Sequence, residues 1–265
     1  MERHTSQFDT LCPLNPLNPL NPLNPLNPLN PSSVHTVKNI DTFYRVRTVA
    51  WIIKHQGGAM DIIFTIGHSN HETHQFINLL RGQGADLVLD VRSSPWSKRY
   101  PQFNREELGR DLLRQGIGYE WFGDWFGARQ TDERFYMPAG WLNYAWYTAS
   151  DHFKEGIRHL DQWLTAVNIP ALMCAEKDPF DCHRAIMVSR ALSLQGYEIR
   201  HILADGTVQT QAQLDDRLLD KYFPHREELD IFGLIDGETD PAQTLAEAYL
   251  KRNEAIAWRL ENPED

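Results

Sequence analysis

Five short apolar runs, each separated from the next by residues at helical spacing, constrain this chain more than any other feature of its sequence. Ile62-Ile63-Phe64-Thr65-Ile66, Leu87 to Val91, Tyr119 to Phe122, the run that starts at Ile169, and Ile199 to Leu203 read as strands. Between them Phe76, Ile77, Leu79 and Leu80, then Leu108, Leu112 and Leu113, then Phe153, Ile157, Leu160 and Leu164 recur at the intervals of amphipathic helices. Gly82, Gly84, Gly116 and Gly196 mark where helices stop. Strands alternating with helices predict an α/β fold, a mostly parallel sheet with helices on both faces. Cap spacings predict where helices begin: Ser69 with Glu72, Asn104 with Glu107, Thr210 with Gln213, and Asp240-Pro241 before a last helix, 242–260.

The pattern begins only at Met60. Pro13 to Asn30 is six copies of Pro-Leu-Asn, which denies the backbone helix donors and favours an extended, polyproline-like form. A nine-base repeat in the DNA would generate such a tract without selection on the protein. The expectation is therefore a dispensable, disordered extension over 1–59, with Met60 as the biological start. A proline-rich ligand for a partner domain is the rival reading, and it needs flanking anchors that are not there. The α/β domain is expected over 60–223, followed by an acidic segment, 224–265.

Charge narrows the partners. The chain carries 26 Lys and Arg against 36 Asp and Glu, a net charge of -10. Four basic and eleven acidic residues lie between His225 and Asp265, whereas Arg92, Lys98, Arg99 and Arg105 form a stretch with no acid. That contrast suggests a confined anion site, or merely a solvated loop, and argues against a broad nucleic-acid face. No run approaches the roughly 18 apolar residues of a membrane span. The first residues lack the pattern of a signal peptide, so the cytoplasm is the expected location. Three cysteines fit reduced thiols better than a disulfide framework.

Chemistry-bearing residues gather at three strand ends: Gly67-His68-Ser69, Asp90 to Ser93, and LMCAEKDPFDCHR, residues 172–184. Parallel, adjacent strands would bring them to one edge of the sheet, where such folds build their sites. His68, Asp90, Glu176 and Cys182 are the candidates for proton transfer or nucleophilic attack. Ser69, Arg92, Ser93, Ser97, Arg99, His183 and Arg184 offer hydroxyls and charged donors suited to a small phosphorylated ligand or nucleic acid. Trp96, Tyr100 and Phe103 could stack a base beside it.

Each residue also has a plainer reading. His68 could be structural, and Asp90 and Glu176 could simply pair with arginines. Cys182, placed before a helix and beside His183 and Arg184, could be an acidified nucleophile or a small buried apolar residue. A cysteine phosphatase is excluded, because the arginine it needs six residues on is Val188 after Cys182 and Phe180 after Cys174. Cys174 reads as core, and His71 and His74 as surface. Zinc is a further possibility, with Cys174, Cys182, His183 and His68 as ligands, although the gap between the cysteines is not a usual knuckle spacing. Trp121 to Trp146, aromatic-rich and irregular, reads as a lid or substrate wall.

TIGHSN (65–70), DVRSSPWSKRYPQFN (90–104), CAEKDPFDCHR (174–184) and HILADG (201–206) together resemble the bacterial "domain of unknown function 488" family. The likeness spans roughly Met60 to Phe223, and LDIFG (229–233) resembles its tail. It implies a Rossmann-like α/β fold and assigns no activity. Its motifs cover Gly67, His68, Ser69, Asp90, Arg92, Pro95, Ser97, Arg99, Cys174, Glu176, Cys182, His183 and Arg184. Trp121 to Phe126 is richer in Trp than the family norm. The leading expectation is an enzyme, a transferase or hydrolase, acting on a phosphorylated ligand, a nucleotide or nucleic acid among the candidates, at the strand carboxyl ends; the sequence leaves open whether it uses a cofactor. A non-catalytic anion- or nucleotide-sensing module and a Cys/His metal-binding domain are the alternatives.

Overall fold

The computed structural model describes residues 62–164, 169–225 and 240–260. The expectations for 1–59 and for LDIFG (229–233) lie outside them. Six strands form one sheet: β1 (Ile62–Gly67), β2 (Leu87–Asp90), β3 (Gly118–Trp121), β4 (Pro170–Cys174), β5 (Glu198–Ile202) and β6 (Val208–Thr210). Their order is β3-β2-β4-β1-β5-β6. The first five run parallel, and β6 pairs antiparallel with β5 at one edge. β4 is thus central, with Gly67 opposite Cys174 on one side and Asp90 opposite Met173 on the other.

Alternation along the strands assigns the two faces. Phe64, Ile66, Val88, Ala171 and Met173 pack on one side with Phe76 and Leu80 of α1 (Thr73–Gly82) and Leu108 and Leu112 of α2 (Arg105–Arg114). Ile63, Leu87, Leu89, Leu172 and Cys174 point to the other side. There they meet α5 (Asp151–Trp163), α7 (Gln211–Tyr222) and α8 (Pro241–Ile256), with α3 (Gly123–Phe126) and α4 (Tyr144–Thr148) between. The helix after Cys182 also belongs to this face. It opens as a π-helical turn, Arg184–Ser189, and continues as α6, Arg190–Ser193. All six residues of the turn are buried, as expected of a helix enclosed all round.

Several local expectations are corrected. Ser69 does not cap α1; it takes φ 49, and Glu72 is the N-cap, its backbone N–H donating to Gln75 Oε1 at 3.3 Å. Asn104 precedes α2, but its Oδ1 accepts from Ser97 N at 2.6 Å instead of from the helix. Thr210 and Asp240 cap as expected. The last helix stops at Ile256 because the residues after it pair with another segment: Leu142 N donates to Trp258 O and Leu260 N to Gly140 O, at 3.0 and 2.9 Å. Trp121 to Trp146 is partly core, with Phe122, Phe126, Tyr136, Trp141, Leu142 and Tyr144 buried, while Trp121, Asp124, Arg129, Gln130 and Asp132 line a surface cavity. No helix among the described residues is long and apolar enough to cross a membrane.

Candidate functional site

The three strand ends do meet at the carboxyl edge of the sheet, where strand parity divides their side chains between the two faces. Asp90 alternates with Leu89 and Val91, so it turns toward the α1–α2 face. There it holds Arg92 through Nε at 2.9 Å and Nη2 at 2.6 Å, and accepts from the Tyr119 hydroxyl at 2.7 Å. Arg92 Nη2 also donates to Phe103 O at 2.8 Å.

His68 completes this first cell. Its Nδ1 faces Ser69 O at 2.9 Å, so that nitrogen carries the proton, and Nε2 accepts from Arg92 Nη1 at 3.2 Å. The ring stacks on Phe103 with centroids 4.3 Å apart. Burial, followed by the Arg92 charge, lowers its pKa to about 4, so it is neutral at physiological pH. Both nitrogens are in use.

A second cell lies on the opposite face, between β4 and the π-helical turn. Cys174 and Cys182 both donate to Glu176 Oε2, each at 2.9 Å, and Cys174 Sγ is 3.6 Å from His183 Nδ1. His183 donates from Nε2 to Val91 O at 3.0 Å, which turns the Nδ1 lone pair toward the sulfurs. One ligand atom from each of Cys174, Glu176, Cys182 and His183 lies within 4.8 Å of the others. Cys174, Cys182 and His183 are buried at 2%, 1% and 8% exposure, whereas Glu176 as a residue is exposed.

The charges inside this cell lean on one another. Burial pushes the Cys174 thiol well up. It also disfavours the Cys182 thiolate, but the adjacent Cys174 and the Arg184 and His183 charges outweigh it and hold that thiol well down. Burial opposes protonation of His183, and the neighbouring Cys182 and Glu176 charges reverse the balance and raise its pKa. Enclosure of the carboxylate end and the neighbouring Cys182 push Glu176 up.

Arg184 backs the second cell and is fully buried. Its Nη1 donates to Glu176 O at 2.7 Å, its Nη2 to Lys177 O at 3.3 Å and its Nε to Thr65 Oγ1 at 3.4 Å. Among the described residues no carboxylate forms an ion pair with it. Gly67 makes the fit possible, since a Cβ there would stand 1.9 Å from Glu176 O.

The remaining predicted residues stand apart. Ser69 Oγ donates to Asn70 Oδ1, Ser93 Oγ accepts from Arg129 N, and Ser97 Oγ accepts from Tyr100 N. Arg99 is exposed, its guanidinium 5.3 Å from the Tyr100 ring centre. The zinc expectation needs one correction: His68 is committed elsewhere, and Glu176 takes its place in the cluster. Cys174, read as core, is buried and also part of the cluster; its place at a strand end two residues before Glu176 was the available signal. Tyr119 and Thr65 carried none, because only tertiary packing brings them in, and Phe103, expected to stack a base, is buried against His68 instead.

No curated protein and no solved structure matches the chain. One family model does match, over a span that includes Asp90, Arg92 and the whole thiol cluster but begins just after His68. The likeness read from the motifs is thus a match, over residues 72–191, to the family described as Domain of unknown function DUF488.

Proposed function

We propose that this α/β domain is a metal-binding protein whose centre is formed by Cys174, Glu176, Cys182 and His183 and takes a divalent ion of the zinc class. One observation carries the reading. Four donors of the types zinc prefers converge within 4.8 Å, and the imidazole is already anchored through its other nitrogen to Val91 O. Ligands at about 2.0–2.3 Å from a central ion stand roughly 3.3–3.8 Å apart, so modest side-chain closure completes the shell. Two sulfurs favour zinc, iron or copper(I) over magnesium or calcium.

An anion-binding enzyme at the same edge draws less support. Arg92 is neutralised by Asp90 and Arg184 is spent on carbonyls and Thr65, which leaves Lys98, Arg99 and Arg105 as the exposed cations of the basic stretch.

Metal analysis of protein purified without a histidine tag tests the proposal. About one equivalent of metal per chain is expected, with loss of stability on chelation and its return with zinc. Cys182→Ser and His183→Ala should each lose the metal. Folded wild-type protein that neither carries metal nor gains stability from zinc overturns the reading.

A further inference from the structure

Resting on the metal reading above, we infer that Glu176 is an exchangeable ligand, and that the coordination position it covers accepts a small monoanion from solvent. Three features of the second cell carry this.

The first is asymmetry. Cys174, Cys182 and His183 are sealed inside, and Glu176, whose Oε2 faces both thiols, is the one residue of the four that is exposed. Three protein ligands with a fourth position open to solvent is the arrangement of a reactive zinc site, whereas a structural site is closed by four.

The second is mechanical. Arg184 clamps the carbonyls of Glu176 and Lys177, and Gly67 presses against the Glu176 carbonyl so closely that no side chain fits between. The main chain of the loop is therefore fixed, whereas the Glu176 side chain is held at its tip, by the two thiols. Exchange then needs only rotation of that side chain.

The third is charge. Two thiolates and a carboxylate around a divalent ion leave one net negative charge, and the buried Arg184 guanidinium, which has no carboxylate partner among the described residues, cancels it. A monoanion that replaces the carboxylate preserves the balance. A neutral donor leaves a net positive charge in an enclosed region, which is costly. The first cell makes no such demand, since Arg92 and Asp90 already neutralise each other.

The exchange itself is simple. One metal–oxygen bond to Glu176 breaks, one bond from the metal to the incoming anion forms, and the oxidation state is unchanged. Small carboxylates and azide have the right charge and size.

Cobalt(II) loaded into the full-length chain gives a visible spectrum that reports the ligand set, and azide is the probe. Wild-type spectra should shift on azide titration. Glu176→Ala should keep cobalt and bind azide about ten-fold more tightly or better, because the competing carboxylate is gone. Imidazole, a neutral donor, should gain less. Glu176→Gln and the wild-type titration supply the same readout if the alanine variant folds poorly. The inference is overturned, with the metal reading intact, if cobalt binds but azide alters neither spectrum, or if Glu176→Ala loses cobalt as completely as His183→Ala. Failure of the wild-type chain to take up cobalt or zinc removes the metal reading first.

Discussion

His68 and His183 are both buried beside the same sheet edge, and the partner of one nitrogen separates their chemistry. His183 gives Nε2–H to a carbonyl and keeps a lone pair for the thiol cluster, while His68 spends both nitrogens on Ser69 and Arg92. Around His68 the energetics belong to the Arg92–Asp90 pair, which is almost wholly enclosed. Asp90→Asn leaves the guanidinium buried without a counter-charge, and urea unfolding should show a loss of about 3–5 kcal/mol. The separation of the two cells was partly readable in advance, because Asp90 alternates with the core residues Leu89 and Val91. The inward turn of Glu176 was not. It depends on Arg184 reaching back to two carbonyls in the same loop, and no spacing rule encodes that contact.

At the scale of elements, β1, the loop after Cys174 and the π-helical turn behave as one clamp. The ladder between β1 and β4 continues past Gly67, with His68 N donating to Cys174 O at 2.8 Å and Ser69 N to Ala175 O at 2.9 Å. Ser69 then reverses the chain in the left-handed region. Gly67→Ala should force this loop away from β1, costing about 1–3 kcal/mol in denaturant titrations and weakening metal retention. A stability loss with metal affinity unchanged would argue against that coupling. Five of the six strands were legible because their apolar runs are too short for helices and are bounded by breakers, whereas β6, Val208–Thr210, has no such run. Helix ends were less so: Asn104 does precede its helix, but its side chain bonds Ser97 instead of capping, and the end of α8 was misread because the residues after it pair with the 140–142 segment.

For the molecule as a whole, a file of donors links the second cell to the far helices. Arg184 donates to Thr65, the Thr65 hydroxyl to His201 Nδ1 at 2.8 Å, and His201 Nε2 to Gln211 Oε1 at 3.2 Å. Gln211 then donates to the Tyr249 hydroxyl, which donates to Asp215. Protonating His201 would break the file at Thr65. Burial, with Arg184 nearby, lowers its pKa from 6.5 to about 3. Below pH 6.5 the unfolded chain therefore binds a proton that the folded chain refuses. Stability from this group is complete above that pH and falls toward pH 3, by about 1.4 kcal/mol per unit. Denaturation midpoints measured from pH 7 to 4 should drop accordingly, and His201→Gln should flatten the slope.

The central place of β4 has one more consequence. A ribosome that has delivered only the first three strands exposes a sheet with its middle missing, since β1 and β2 have no edge in common until residues 170–174 emerge to lie between them. Nascent chains arrested before that point should remain open to protease, and the domain should snap into resistance only after the keystone arrives.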